Sequence, residues 1–220
     1  MKDAPRPRGN AMIVHPAIEE YLHGIQPAPD AVLLEMEKVG IERGFPIIGP
    51  LVGRLCEQLA RAISARTVFE MGSGFGYSTA WFARAVGAGG RVVHTDGDKA
   101  KSEEAKGWLA RAKLAERVEF QVGDAVALIE KAKGPFDVVF VDIDKEQYPD
   151  AFLAAKDKVR VGGLIITDNV LWQGKVANRK AKDKATRGAR EYTQLAMEEP
   201  GFLTTVLPLR DGVAVSLRLR

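Results

Sequence analysis

The sequence predicts an α/β protein with a doubly wound sheet of seven strands and helices on both faces. Two observations support this fold class. From residue 67 onward, short apolar runs alternate with longer segments that have the composition of helices. The first of these runs ends in a glycine-rich turn, GSGFG, which leads into a helix-like segment. Alternating strands and helices are typical of a mostly parallel sheet that is covered on both faces.

The length and composition of the chain fit one domain with a substantial core. The chain has 220 residues, of which 46% are apolar and 28% are charged. We expect a disordered arm at residues 1–12 and a single domain at 13–220. Within that domain we expect a helical leader at residues 13–66 and a cofactor-binding sheet core at 67–220.

Composition also limits the location and the partners of the protein. No run approaches the ~20 consecutive apolar residues that span a bilayer. The N-terminal residues lack the apolar region of a secretory signal. Cys56 is the single cysteine, which excludes an internal disulfide and a thiolate metal cluster. We therefore predict a cytoplasmic protein without a membrane partner. The net charge of +3 does not by itself indicate nucleic acid.

The leader is predicted to contain three helices. Residues 15–25 have the apolar spacing of a short amphipathic helix. Asp30 is a suitable N-cap for a second helix through Val39, after which GFPIIGP breaks the chain. The third helix begins at Leu51 and carries leucines along one face.

The core is predicted to contain five strands separated by helices and then a closing hairpin. The five strand segments are TVFEMG, RVVHTD, RVEFQVGD, FDVVFVDID and GGLIITDN. A further helix is predicted at residues 185–199. The last two strands flank Asp211-Gly212, a dipeptide typical of hairpin turns, so this pair contains an antiparallel strand.

The turn after the first strand has the features of a ligand-binding loop. Gly72, Gly74 and Gly76 allow a tight turn and a close approach of the backbone to a ligand. Glu70 lies just before these glycines. Asp96 ends the second strand, about 20 residues further on, where a carboxylate commonly binds ribose hydroxyls.

The same loop distinguishes between two cofactor classes. Dinucleotide enzymes carry G-x-G-x-x-G, but position 77 is tyrosine here. A doubly negative pyrophosphate would also lie unfavourably close to Glu70. A ligand with a cationic centre and an amino-acid end, such as S-adenosylmethionine, suits that carboxylate better. A tight turn that binds nothing is the structural alternative.

Polar side chains also end the fourth and fifth strands. Asp142 ends the fourth strand, and Asp168 and Asn169 end the fifth. Neighbouring parallel strands would bring these groups to one edge of the sheet. Two close carboxylates favour a cation between them, and all-oxygen ligands favour Mg²⁺, with Mn²⁺ or Ca²⁺ as alternatives. Lys145 follows Asp142 by three residues and is a candidate general base, with a solvated surface lysine as the alternative.

Five motifs together resemble a known family. In order along the chain they are VFEMGSGFGYST, VVHTD, VGDA, FVDIDK and IITDNVLW. In this order and spacing they resemble the cation-dependent class I O-methyltransferases, the group of catechol and caffeoyl-coenzyme A O-methyltransferases with its bacterial members. The similarity extends from about residue 12 to residue 220. The DxDK and DN motifs are the specific part, whereas the glycine loop is shared with methyltransferases in general.

The resemblance implies a Rossmann-like, seven-stranded sheet with the last strand antiparallel, S-adenosylmethionine as cofactor, a divalent metal ion and a homodimer. It implies that Asp142, Asp168 and Asn169 bind the metal and that Lys145 is the base. Together with the glycine loop, it assigns cofactor contacts to Ile48, Glu70, Gly72, Gly74, Gly76, Ser78, Asp96, Gly97, Ala125 and Asp142.

We therefore expect a metal-dependent O-methyltransferase that acts on a vicinal-diol aromatic small molecule. A tRNA hydroxyuridine O-methyltransferase on the same scaffold, an NAD-dependent oxidoreductase and non-catalytic cofactor binding are the alternatives. Residues 175–190 contain seven basic residues and one acid, and we interpret them as a solvated loop and helix start. An acidic acceptor or RNA is the functional interpretation of that segment. Trp172 either forms a wall of the acceptor pocket or packs in the core.

Overall fold

The computed structural model describes residues 13–220, so the arm predicted at residues 1–12 lies outside the described part of the chain. The seven predicted strands are present in one sheet. They are Thr67–Met71 (β1), Arg91–Asp96 (β2), Val118–Val122 (β3), Phe136–Val141 (β4), Val159–Thr167 (β5), Phe202–Leu207 (β6) and Val213–Arg218 (β7).

The sheet has the order β3-β2-β1-β4-β5-β7-β6. Strands β1 to β5 pair in parallel, whereas β7 is antiparallel to both β5 and β6. The predicted fold class, a doubly wound, Rossmann-like sheet with an antiparallel last strand, is confirmed. Because β4 and β5 are neighbours, the segments that follow them leave the sheet at the same edge.

Eight α-helices accompany the sheet within residues 13–220. They are Pro16–Ile25 (α1), Ala31–Arg43 (α2), Gly49–Ala62 (α3), Tyr77–Val86 (α4), Lys99–Arg111 (α5), Ala125–Lys131 (α6), Tyr148–Lys156 (α7) and Lys184–Glu198 (α8). Residues from α2 to α5 form one apolar cluster against the sheet, and residues from α6 to α8 form a second. No helix in the described part of the chain is long and apolar enough to cross a bilayer.

Helix α2 is longer than the sequence analysis predicted. It continues through Gly40 to Arg43 instead of ending at Val39. Gly40 is buried inside the helix, where a Cβ would lie 3.4 Å from the side chain of Ile47. The helix ends at Gly44, which adopts the left-handed conformation of a typical C-cap. The tight contact at Gly40 therefore explains a glycine that the sequence alone suggested as a helix terminus.

Candidate active site

A cavity of about 890 Å³ lies at the edge of the sheet where the parallel strands end. Segments that follow β1, β2, β3, β4 and β5 all contribute to its walls. Eleven of the predicted site residues line it, namely Ile48, Gly72, Gly74, Ser78, Asp96, Gly97, Ala125, Asp142, Lys145, Asp168 and Asn169. Glu70 and Gly76 were also predicted to contact a cofactor but do not line the cavity.

The glycine loop lies directly against the end of β4. Gly72 has φ +82°, and a Cβ at this position would collide with the carbonyl oxygen of Asp142. The backbone N–H of Gly74 donates a hydrogen bond of 2.8 Å to Oδ2 of Asp96. The loop thus joins the predicted metal edge on one side to the predicted ribose carboxylate on the other.

Gly76 has a packing role that differs from the predicted one. It precedes α4 with φ +92°, and a Cβ there would lie 2.9 Å from the Cβ of Ala105 in α5. A larger residue would therefore strain the backbone and push α4 away from α5. The third glycine of the loop supports the helix packing and does not face the cavity.

Glu70 is fully buried beside the cavity rather than exposed within it. The hydroxyl of Thr79 donates a hydrogen bond of 2.5 Å to Oε2 of Glu70, whereas Oε1 has no partner among the described residues. Burial raises the pKa of Glu70 to about 7, although the hydroxyls of Thr79, Ser78 and Ser73 act in the opposite direction. Since Ser73 and Ser78 line the cavity, Glu70 lies immediately behind its wall.

Another part of the cavity has walls of small and aromatic residues. Gly97 and Ala125 line it, and a Cβ at Gly97 would meet nothing within 4 Å. Phe45 and Phe75 lie nearby with ring centroids 5.2 Å apart. The absent side chain at position 97 leaves this part open, and Asp96 lies next to it.

Two of the predicted metal ligands, Asp142 and Asn169, contact the ammonium group of Lys145, and the third, Asp168, lines the same cavity. Nζ of Lys145 lies 3.3 Å from Oδ1 of Asp142, 3.1 Å from Oδ1 of Asn169 and 3.2 Å from the carbonyl oxygen of Ile143. Oδ1 of Asp168 is buried and has no hydrogen-bond partner among residues 13–220. The sequence prediction that these groups meet at one edge agrees with this geometry.

The electrostatics of this cluster favour an additional cation. Burial raises the pKa of Asp168, and the charge of Asp142 raises it further. Burial also raises the pKa of Asp142, with Lys145 acting against that effect. Two carboxylates that resist joint ionisation are stabilised by a positive charge between them.

The donor set fits a hard divalent cation. Within the described residues no cluster of three or more His, Cys, Asp or Glu side chains could hold a metal ion. An ion here would therefore rest on two carboxylates, one amide oxygen and water, which suits Mg²⁺. The unpartnered Oδ1 of Asp168 and the ammonium held by Asp142 and Asn169 show that these oxygens can accept a cation.

Lys145 is not a solvated surface lysine. Its side chain is only 9% exposed and contacts the rings of Tyr148 and Trp172, with Nζ 4.9 and 5.5 Å from the ring centroids. Trp172 lines the cavity, so the interpretation of this residue as a wall agrees with its position. Helix α8 packs on the backbone of Lys145, because a Cβ at Gly188 would collide with the Lys145 carbonyl oxygen.

The sequence analysis missed Arg210, which also lines the cavity. Its Nη1 donates to the carbonyl oxygens of Ile47, at 2.9 Å, and Ile48. Burial raises the pKa values of Asp142 and Asp168, and the positive charge of the Arg210 guanidinium acts against that rise. Arg210 precedes the predicted hairpin dipeptide, and it is 163 and 162 residues from Ile47 and Ile48, so no local signal reveals this contact.

The basic segment 175–190 is more ordered than a solvated loop. Arg190 donates to the carbonyl oxygens of Lys175, Val176, Asn178 and Ala181 at 2.6–3.0 Å. The side chain of Arg190 therefore holds residues 175–181 in a compact loop. Five of the other basic residues are exposed, namely Arg179, Lys180, Lys182, Lys184 and Arg187.

Residues 33–219 match the family model described as O-methyltransferase. The chain belongs to the O-methyltransferase family. The predicted enzyme class, an S-adenosylmethionine-dependent O-methyltransferase, is confirmed. Because O-methyltransferases transfer a methyl group and not a hydride, the alternative of an NAD-dependent oxidoreductase is excluded.

This O-methyltransferase is similar to characterised relatives over nearly its whole length. It is 36% identical over 206 residues to a catechol O-methyltransferase of Mycobacterium tuberculosis, covering 91% of this chain and 92% of the relative. It is 31% identical over 212 residues to a catechol O-methyltransferase of Niastella koreensis, covering 91% and 96%. The crystal structure of an O-methyltransferase from Bacillus cereus in complex with SAH superimposes with a TM-score of 0.83 at 30% identity, covering 92% and 97%.

Proposed function

We propose that this O-methyltransferase transfers the methyl group of S-adenosylmethionine to one hydroxyl of a vicinal-diol aromatic small molecule, with a divalent metal ion. The observation that carries this proposal is that Asp142 and Asn169 hold the buried ammonium of Lys145 while the unpartnered Oδ1 of Asp168 belongs to the same cavity wall. Mg²⁺ is the ion that best matches the oxygen donors, and Mn²⁺ and Ca²⁺ are alternatives. The names of the two catechol O-methyltransferases above support the acceptor class.

The cofactor end of the cavity would hold S-adenosylmethionine in a defined direction. Asp96 would accept hydrogen bonds from the ribose hydroxyls, and Gly97 and Ala125 would lie along the adenine. Gly72 and Ser78 would lie at the methionine end, where the negative charge of Glu70 suits the amino group. In this orientation, the sulfonium end of the cofactor would be held by the residues nearest to Asp142 and Asp168.

The acceptor end would hold the diol between Trp172 and the carboxylate edge. A bound ion at Asp142, Asp168 and Asn169 would supply the charge that makes an acceptor hydroxyl more acidic. As a neutral amine, Lys145 would accept the proton from that hydroxyl. The acceptor oxygen then forms a bond to the methyl carbon as the carbon–sulfur bond breaks, which gives a methyl ether and S-adenosylhomocysteine. Alignment of two bound reactants contributes much of the rate.

The decisive experiment replaces a metal ligand and leaves the cofactor end intact. Asp168→Ala should lower methylation of a catechol with Mg²⁺ about 100-fold or more, because it removes a charged ligand of the ion. Calorimetric titration should still detect binding of S-adenosylhomocysteine to this variant. Asp144→Ala, which changes an exposed carboxylate two residues from Asp142, is the matched control and should retain metal-dependent turnover. Full activity of Asp168→Ala, or of the wild type in excess chelator, would contradict the metal-dependent mechanism.

A second acceptor class is favoured by the exposed basic residues of segment 175–190. Five exposed cations in a segment that also contains the cavity residue Ala185 would attract phosphates, as in a hydroxylated tRNA. Binding of undermodified tRNA that weakens steeply with added salt would support this alternative. If no tRNA binding is detected at low salt, the small-molecule acceptor stands alone.

We also propose a homodimer that uses the leader. Helix α1 has no buried residue, and it exposes Ile18, Tyr21 and Ile25 by 52%, 62% and 54%. Three apolar side chains in helical spacing favour burial against another surface. Sedimentation analysis of the wild type and of Tyr21→Glu would test this proposal, and a wild type that is monomeric at high concentration would contradict it.

A further inference from the structure

Three buried polar side chains form a chain of hydrogen bonds behind the glycine loop. Glu70 in β1 and His94 in β2 are direct partners in the register of the two strands. Thr79, in the first turn of α4, lies over both. Its Oγ1 is 2.5 Å from Oε2 of Glu70 and 3.1 Å from Nδ1 of His94. All three residues are 0% exposed.

When Glu70 is ionised, the chemistry of these groups sets the direction of each hydrogen bond. A hydroxyl has one proton, and Thr79 uses it toward the carboxylate of Glu70, which can only accept when ionised. Toward His94 the hydroxyl must therefore accept, which requires a proton on Nδ1. Burial lowers the pKa of His94 to about 4, so the ring is neutral and has no proton on Nε2. Nε2 is buried and has no hydrogen-bond partner within the described residues, so no acceptor lies opposite it for a proton.

This chain of hydrogen bonds engages only one of the two carboxylate oxygens of Glu70, namely Oε2. Oε1 remains buried without a partner in the described part of the chain, next to the cavity residues Ser73 and Ser78. Unpartnered buried acceptors are rare in folded proteins and usually indicate a ligand or a functional role. The free oxygen therefore lies next to the wall where the glycine loop meets the cavity.

The hydrogen-bonded side chains of Glu70, Thr79 and His94 are otherwise packed against apolar residues. The His94 ring packs on Phe120 with centroids 4.9 Å apart, and Trp81 and Phe82 follow Thr79 in the buried face of α4. Valine at position 79 and an apolar residue at position 94 would fill this space without burying polar groups. Buried polar networks are costly unless they are satisfied or used.

We propose that Thr79 and His94 are positioning residues for the amino-acid end of the cofactor, because they hold the carboxylate of Glu70 behind Ser73 and Ser78. In this arrangement the negative charge lies where the amino group of S-adenosylmethionine would be bound. Thr79 and His94 act through Glu70 and do not touch the ligand. This inference rests on the proposed cofactor site, since it assigns a function to the residues behind it.

The test compares two ligands that differ only at the relevant end. S-adenosylhomocysteine carries the amino-acid end, whereas 5′-methylthioadenosine carries the adenosine and the sulfur without it. Thr79→Val removes the hydroxyl with almost no change in shape, and Thr79→Ser retains it. Calorimetric titration of both ligands would be performed on the wild type and on each variant.

Thr79→Val should weaken S-adenosylhomocysteine about tenfold, equivalent to about 1.4 kcal/mol, and leave 5′-methylthioadenosine within about twofold. Thr79→Ser, which retains the hydroxyl, should bind S-adenosylhomocysteine with the affinity of the wild type. Equal weakening of both ligands, or no weakening of either, would overturn the inference. A wild type that does not bind S-adenosylhomocysteine would instead overturn the proposed function itself.

A second pair of variants tests His94, the residue of the hydrogen-bond chain that is farthest from the cavity. His94→Asn places an amide N–H near the position of Nδ1, and His94→Leu has no donor. His94→Leu should show the same loss that is confined to S-adenosylhomocysteine, and His94→Asn should show less of it. If both His94 variants bind like the wild type, His94 has no positioning role, even where Thr79→Val fails to fold.

Discussion

The amide oxygen of Asn169 lies 3.1 Å from the ammonium nitrogen of Lys145. Asn169 follows β5 and has a left-handed backbone with φ +54°, whereas Lys145 lies in the turn that follows β4. The pair therefore joins the ends of two adjacent strands. It also places the candidate base in contact with one of the candidate metal ligands, so that a divalent ion and the ammonium would compete for the same oxygens.

Lys145→Met should lower kcat for catechol methylation about 10²- to 10⁴-fold near pH 7.5, because it removes a positioned proton acceptor. The remaining activity should rise with pH as the acceptor hydroxyl ionises in solution. Steady-state kinetics over a range of pH would measure both effects. Lys101→Met is the matched control, since Lys101 lies over the ring of Phe45 at the other end of the cavity. Equal kcat values for the wild type and Lys145→Met would exclude Lys145 as the base.

Arg210→Ala should weaken binding of S-adenosylhomocysteine and lower the melting temperature, because the carbonyl oxygens of Ile47 and Ile48 lose their donor. The expected loss of stability is about 1–3 kcal/mol. Arg218→Ala is the control, since Arg218 donates to the carbonyl oxygens of Lys156 and Val159 away from the cavity. It should lower the melting temperature and leave ligand affinity unchanged. Parallel losses of affinity in both variants would show that Arg210 has only a structural role.

The affinity for S-adenosylhomocysteine should rise with pH up to about pH 7.5 and then level off. Burial raises the pKa of Glu70 to about 7 in the free protein, so the carboxyl is largely protonated at lower pH. A ligand ammonium favours the ionised form, so binding below that pKa releases a proton. The dependence is at most tenfold per pH unit.

Titration calorimetry in buffers between about pH 5.5 and 8.5 would record this dependence, because the range spans the pKa of a group near neutrality. Glu70→Gln has nearly the same shape but no ionisable group, so its affinity should not vary in this way. An identical pH profile for Glu70→Gln and the wild type would assign the effect to another group.

Arg190→Ala should open the segment from Lys175 to Ala181, because Arg190 donates to four carbonyl oxygens within it. Trypsin should then cleave this segment faster, since Arg179 and Lys180 are exposed cleavage sites. The KM for the acceptor should rise and the affinity for S-adenosylhomocysteine should not change.

Arg66→Ala is a suitable control for the proteolysis, because Arg66 donates to the carbonyl oxygens of Val86 and Ala88 in a different loop. Mass spectrometry of the fragments would locate the cuts. If the two variants give the same fragments at the same rate, Arg190 does not hold the basic segment closed.

The strands and the carboxylate edge could be predicted from sequence because their signals are local. Each strand is a short apolar run bounded by glycine or charged residues, and a parallel order places the residues after β4 and β5 together. The positions of Asp142, Asp168 and Asn169 followed from that order alone. Their roles as metal ligands remain a prediction.

The contacts that the sequence did not reveal join distant parts of the chain or depend on side-chain packing. Arg210 reaches the leader across 162 residues. No local sequence signal links His94 to Glu70, and only the register of β1 and β2 shows that the two are paired. Gly76 has the same local sequence features as Gly72 and Gly74, yet the proximity of Ala105 gives it a packing role.

The last strand in the sequence, β7, lies next to β5 in the sheet, and this has a consequence during synthesis of the protein. One edge of β5 stays without a partner strand until residues 214–217 pair with residues 164–167. During synthesis, the backbone groups on this edge of β5 therefore have no partner strand until nearly fifty further residues have been added. An unpaired strand edge is prone to association. The connection between β6 and β7 also carries Arg210, so the part of the cavity wall that Arg210 forms with Ile47 and Ile48 requires residues from both ends of the domain.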